Sequence, residues 1–300
     1  MATKSQIRTR VLYLLSNHSM ISATDIDNLI PAEHEEVLDT YSWSARKEET
    51  TITLTANYST GSVSGSSGST TLTGSSTVWT SGMANRWIRI GSDSFYFKIS
   101  NVASATSLTL ETALVADVAA STSYTIFQHV YSLPSNFERV LSITSDVKMN
   151  EWTQQDLDRL DPYRSSTASR PYVYSLRGLN SSSYYDMEVW PIPSAASILR
   201  LDYLKTSSLT NDTDVPPYRG DILVYRVAQA GASFLHARTG DAAWLNLADR
   251  YQVHYKESLE EAIEDDLAKN SSASYIRDAA LTDVTPGGDW FIDHDSGLFR

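Results

Sequence analysis

Apolar and polar positions along this chain follow two rhythms, one helical and one strand-like. Ile222, Tyr225, Ala228, Ala232 and Leu235 recur at helical spacing, as do Trp244, Ala248, Tyr251, Tyr255, Leu259 and Ala262. Glu260, Glu261, Glu264 and Asp265 fall off the second stripe and belong in water. Between the stripes Gly240 supplies the positive φ that ends one helix, and Asp241 stands where it caps the next. An αα-hairpin is therefore expected from Pro216 to about Lys269, with Ala228, Ala230, Gly231 and Ala232 letting another helix approach closely. Nearer the start, Ile7, Val11, Leu14 and Leu15 predict an amphipathic helix from about Ser5 to Met20, with Lys4, Arg8 and Arg10 off its apolar stripe. Ser22 or Thr24 caps a second helix, Asp25 and Asp27 suit its N-terminus, and Pro31 reads as a first-turn residue restarting a helix to about Arg46. His34, Glu35 and Glu36 read as a solvated face, because the His-Glu-x-x-His spacing of a zinc site is absent.

The rhythm changes at Thr50. Up to about Val130 the chain is Thr, Ser and Gly alternating with apolar residues, which predicts strands at Thr51 to Thr55, Ser69 to Thr73, Trp87 to Ile90, Phe95 to Ile99, Ser107 to Leu110 and Tyr124 to Val130. The piece from Ser59 to Ser69 reads as a mobile hairpin tip. Further strands are expected at Phe137 to Thr144, from Arg170-Pro171 through Leu176, at Tyr184 to Trp190 and at Ile198 to Leu204, with a short helix from Glu151 to Leu160. After Asn270 the pattern dissolves. The fold class is thus α+β: a helical body with an αα-hairpin and antiparallel strands (residues 1–49 and 131–269), an inserted all-β small barrel or sandwich domain (residues 50–130), and an extended C-terminal arm (residues 270–300).

Composition narrows the function. With 41% hydrophobic and 20% charged residues the 300-residue chain is globular, and with no cysteine it holds together by packing, without thiol chemistry. No stretch approaches the roughly 18 apolar residues of a membrane span, and the run Val11 to Leu15 is too short for a signal peptide, so an intracellular, soluble product is expected. A net charge of -12 argues against gripping nucleic acid, whereas an acidic wall can pass DNA without holding it. Catalytic signatures are missing. Gly61-Ser62-Val63-Ser64-Gly65 has valine where a nucleophile would stand, and no phosphate-cradling Gly-Lys-Ser/Thr loop occurs. Asp212 with Asp214, and Asp293, His294 and Asp295, read as solvated loop acids rather than metal ligands. The expectation is no enzyme, no cofactor and no metal. A hydrolase of cell-wall sugars rests only on the abundance of Asp and Glu. Trp79, Trp87, Phe95 and Tyr96 in a polar β-domain motivate a second reading, a carbohydrate-binding host-attachment tail protein.

One resemblance goes further than composition. Tyr131-Ser132-Leu133-Pro134, Pro171-Tyr172 and Met187-Glu188-Val189-Trp190-Pro191-Ile192-Pro193 follow one another in an order that continues through Leu201-Asp202-Tyr203-Leu204 and Leu209-Thr210-Asn211-Asp212-Thr213-Asp214-Val215-Pro216 to the helical hairpin. This order resembles that of tailed-phage head-to-tail connector (adaptor) proteins, the group that includes tail tubular protein A. Thr77 to Ile90 and Ser107-Leu108-Thr109-Leu110-Glu111 resemble the β-insertion familiar there. The resemblance implies a non-enzymatic virion protein of the neck, assembled in the host cytoplasm into a homo-oligomeric ring of about 12 copies. Its implied partners are the portal protein, a downstream tail or nozzle protein, and double-stranded DNA passing through the lumen without sequence-specific binding; no membrane is involved. By the same resemblance Tyr275, Trp290, Phe291 and Phe299 belong to a portal-docking arm, and Glu260, Glu261, Glu264 and Asp265 are candidates to face the channel.

Overall fold

The computed structural model describes residues 2–92 and 95–281, with the side chains of the last helix described as far as residue 270. Among these residues there are five helices: α1 (Lys4–Leu14), α2 (Ala23–Thr40), α3 (Gln154–Leu160), α4 (Gly220–Thr239) and α5 (Ala242–Leu281). The strands are β1 (Lys47–Leu54), β2 (Ser62–Gly65), β3 (Thr71–Ser75), β4 (Trp87–Ile90), β5 (Tyr96–Ser104), β6 (Ser107–Leu110), β7 (Val118–Thr122) and β8 (Tyr124–Phe127), followed by β9 (Val130–Ser132), β10 (Phe137–Thr144), β11 (Asn150–Glu151), β12 (Thr167–Ala168), β13 (Val173–Leu179), β14 (Tyr185–Trp190), β15 (Ile192–Pro193) and β16 (Ser197–Lys205). The chain divides into two compact units, Met1–Arg46 with Ser207–Arg300, and Lys47–Thr206.

The first unit is helical. Thr3 and Gln6 form a capping box at α1, and Ser22 and Asp25 form another at α2, so that two free amides at each helix start are satisfied. Of the two capping candidates for α2, Ser22 is the one used. α1 ends earlier than expected because Ser16 and Asn17 adopt positive φ, 54° and 46°. Pro31 does not restart a helix; α2 runs through it, with Ile26 and Ile30 before it and Val37 after it fully buried and holding the helix in place. The same helix stops at Thr40, and a single 3₁₀ turn covers Ser44–Arg46. The hairpin is as read: Gly240 has φ 71° and donates its N–H to the His236 carbonyl at 2.8 Å, and Asp241 Oδ1 accepts the Ala243 N–H at 2.9 Å. Ile7, Val11, Leu15, Ile26, Ile30, Ile222 and Leu235 are fully excluded from water, each worth about 1.5–3 kcal/mol of hydrophobic stabilisation before entropy is set against it. Gly231 is small for a reason. A Cβ there would lie 2.6 Å from Leu15 Cδ1. α5 continues to Leu281, beyond the expected end near Lys269.

The second unit holds the strands. β1 pairs antiparallel with β16 over eight residues, and β10 flanks β16 on the other side, with register shifts between Phe137 and Arg139 and between Val140 and Ser142. The strand expected at Thr51 to Thr55 is therefore present, but its neighbour is β16 rather than a strand of the Thr/Ser-rich stretch. A four-stranded sheet runs β11-β13-β14-β9, and a seven-stranded antiparallel sheet runs β7-β2-β3-β6-β5-β4-β8. Its outermost strands β7 and β8 are separated in sequence by Ser123 alone, so the sheet has to curl until its two edges meet at that residue. It is a half-barrel of one sheet. Val63, Leu72, Trp79, Ile88, Ile99, Leu108 and Ile126 fill its concave side. Ser59 to Ser69 is not merely a hairpin tip, because it contributes β2, which pairs with β3 and β7 and buries Val63.

Candidate functional site

On α5 the buried stripe Ala248, Tyr251, Tyr255, Leu259 and Ala262 turns toward the helical core, which leaves Glu260, Glu261, Glu264 and Asp265 exposed. Arg219 reaches Glu261 at 3.1 Å and Asp221 at 2.7 Å. The hydrogen bonds it donates, to Asp221 first and Glu261 second, raise the guanidinium further above its ordinary range. The sequence of the helical unit carries 22 acidic and 12 basic residues, whereas that of the strand unit carries 14 and 12, so the negative charge of the protein is concentrated in the former part of the chain. Tyr275 falls within α5; Trp290, Phe291 and Phe299, together with Asp293, His294 and Asp295, lie outside the described residues.

The loop acids Asp212 and Asp214 are engaged by α1. Arg8 binds both Asp212 (2.9 Å) and Asp27 (2.7 Å), Lys4 Nζ donates to the Thr210 carbonyl at 3.2 Å, and the Lys4 N–H donates to the Asp214 carbonyl at 2.8 Å. Arg8 thus meets the Asp212 carboxylate, while that of Asp214 accepts the Asn211 N–H at 2.6 Å. No cluster of three or more metal-ligating side chains exists among the described residues.

His34 is not solvated. It is 1% exposed, its Nδ1 lies 2.6 Å from the Tyr218 hydroxyl and its Nε2 lies 3.2 Å from Ser207 Oγ. Its position explains this, since Ile26, Ile30 and His34 follow one another four residues apart along the buried stripe of α2. Burial first, and the nearby positive charge of Arg46 second, push its pKa down to about 4.

The aromatics that suggested sugar binding are otherwise employed. Trp79 is 3% exposed and donates its indole N–H to the Tyr124 hydroxyl at 2.9 Å. Trp87 and Tyr96 pack on His129 with ring centroids at 4.4 and 5.8 Å. Phe95 is exposed and meets Tyr163 edge to face. Trp79 is thus core, Trp87 and Tyr96 are half-buried, and Phe95 alone of the four is exposed.

The most charged buried cluster in the strand unit was not singled out by the sequence reading. Glu188 of β14 and Arg164 of the loop after α3 form an ion pair through Oε1 and Nε. Arg164, with φ 47°, also donates to the carbonyl of Asp161 at 2.6 Å and to Asp158 Oδ1 at 2.6 Å. Gln154 Nε2 donates to Glu188 Oε2 at 2.9 Å. The Asp161 carboxylate accepts N–H bonds from Ser165, Ser166 and the Trp190 indole at 2.8–3.0 Å. Burial raises its pKa, but these donors outweigh burial and hold the carboxyl well below the usual carboxylate range. Arg89 of β4 ties the curled sheet to this loop by donating to the carbonyls of Tyr163 and Arg164 at 2.9 and 2.8 Å. His129, 1% exposed, has Nε2 3.8 Å from Glu188; burial, then the charges of Arg177, Arg164 and Arg89, push its pKa down to about 3, so it is neutral. With its carboxylates and cations bound to one another, the cluster fastens α3, β4 and β14 together.

A family model described as SU10 adaptor protein matches residues 68–280, which is more than two thirds of the chain. No curated protein matches it.

Proposed function

We infer, since the chain belongs to the SU10 adaptor protein family, how such a protein would use this surface. It is a phage adaptor protein, a component of the virion that contacts other capsid or tail proteins. No helix among the described residues is long and apolar enough to cross a membrane. In the reading proposed, copies assemble in the host cytoplasm into a ring, about 12 in number by resemblance to head-to-tail connectors such as tail tubular protein A. The ring docks on the portal, receives a downstream tail or nozzle protein, and gives the genome a conduit. It performs no chemistry of its own.

The observation that carries this reading is the charge of the helical unit. An acidic lumen would let DNA slide, since a wall of like charge binds no phosphate and releases no counterions. Exposed Glu260, Glu264 and Asp265 on α5 are suited to that role, and Glu261 less so because Arg219 neutralises it. In the same reading the C-terminal residues, Tyr275 within α5 and Trp290, Phe291 and Phe299 after it, anchor the chain on the portal. Electron microscopy of the purified protein mixed with its cognate portal tests the proposal: rings seated on the portal are expected, and unringed protein with bare portal would refute it.

A further inference from the structure

The chain passes twice between the two compact units, at Arg46–Lys47 and at Thr206–Ser207. The two passages run side by side, because Lys47 pairs with Leu204 at the end of the β1–β16 ladder. On the helical side both come to one histidine. Ser207 is the first residue after the second passage, and its Oγ lies 3.2 Å from His34 Nε2. Arg46 is the last before the first passage, is 3% exposed, and is the charged group that acts most on His34. The other ring nitrogen is held by Tyr218, which packs on Trp43 with centroids 5.1 Å apart, and Trp43 in turn packs on Tyr41. His34 thus joins α2, the turn before the first passage, and the segment leading from the second passage into α4.

We propose that His34 is a proton-sensitive pin: neutral, it fastens Arg46 and Ser207, the ends of the two passages, within the helical unit, and protonated, it releases them. The neutral ring has one nitrogen that accepts and one that donates, which suits one hydroxyl on each side. Protonation turns both nitrogens into donors, removes the acceptor, and places a second buried cation beside Arg46. Among the described residues no carboxylate acts on the ring to compensate. Tyr218 faces it with its proton held by burial and by Tyr255 of α5, while Glu33 is bound to Arg226 and Asp266 to Ser44. The device is independent of the ring reading and stands or falls alone.

The passages carry their own reporters, since trypsin cuts after Arg46, Lys47 and Lys205, while Lys98 in β5 and Arg250 in α5 serve as controls elsewhere. At neutral pH, His34→Ala and Ser207→Ala should raise cleavage at the passages about tenfold over wild type with the control sites unchanged, as local opening requires. Cleavage rising equally at all sites, or not at all, overturns the pin. His34→Gln keeps an acceptor and a donor but cannot titrate. Near pH 4, with far-ultraviolet circular dichroism showing helices retained, the amides of residues 43–46 and 207–209 should lose hydrogen-exchange protection, corrected for intrinsic rates, relative to neutral pH in wild type and not in His34→Gln. Equal loss in both overturns the proton dependence, and it does so even where His34→Ala fails to fold.

Discussion

Arg164 and Glu188 face each other in an ion pair that leaves only 4% and 1% of their side chains in contact with solvent. Two charges taken out of water at such cost are tolerated only while each has the other, together with the hydrogen bonds from Gln154 and to Asp158. Removing one partner strands the other. Glu188→Ala or Arg164→Ala should each destabilise the strand unit by about 3–5 kcal/mol in urea titrations, whereas the double change Arg164→Met with Glu188→Leu should cost less than either. A single change costing under about 1 kcal/mol would mean that water reaches the pair.

At the helical hairpin, Gly240 has open space where a Cβ would go, so its conformation alone resists substitution. Gly240→Ala should cost about 1 kcal/mol from its positive φ, and Asp241→Ala about 1 kcal/mol from the lost cap, both read as shifts in melting temperature. Gly231 is the opposite case. Its φ is helical, but Leu15 leaves no room, so Gly231→Leu should lose about 1–3 kcal/mol or more through overpacking of α1 against α4.

Acid should weaken the fold in a defined window. His34 stays neutral in the folded protein down to about pH 4, whereas an unfolded histidine takes up its proton near pH 6.5. Between those values the unfolded chain binds more protons, so stability falls as pH drops through the window and this contribution levels off below it. The loss amounts to about 3 kcal/mol. His129 acts with the same sign and extends the decline to about pH 3. Denaturant melts at several pH values should show a shallower slope for His34→Gln than for wild type; identical slopes would remove His34 from the account.

Excising residues 56–127 tests whether the curled sheet is a separable insertion. The flanks are adjacent, since Thr55 Oγ1 lies 3.2 Å from the Gln128 side chain and the Thr55 N–H donates to the Tyr131 hydroxyl at 3.2 Å. A short Gly-Ser bridge between Thr55 and Gln128 should therefore leave β1, β10 and β16 paired, with full helical circular dichroism. Its cost should fall on the Arg164 loop, which loses Arg89. Aggregation of the shortened chain would show that the sheet is integral to the fold.

Much of the fold was legible because it is local. Gly240 and Asp241 announce a turn by their own conformational preferences, and the stripes of α4 and α5 are read within one helix. Pairing was not legible. Nothing in Thr51 to Thr55 says that its partner lies some 150 positions on, in β16, because a Thr-rich strand suits many neighbours. The cluster around Glu188 was missed for the same reason, its members being brought from β14, the loop after α3 and the segment before β9. A signal existed in Glu188 itself, a charge between Met187 and Val189 in a strand buried on both faces. His34 carried a comparable signal, four residues after Ile30 on an apolar stripe. A polar residue in a buried register was the sign passed over in both places.

Ser123 joins two strands that bound opposite edges of the same sheet. That one peptide acts as a rivet: the rims of the half-barrel can separate there by no more than a residue's length, whatever happens to the side chains inside. Any force or partner that flattens the sheet has to work against covalent bonds at that point, and a single cut beside Ser123 would turn a closed rim into two free ends.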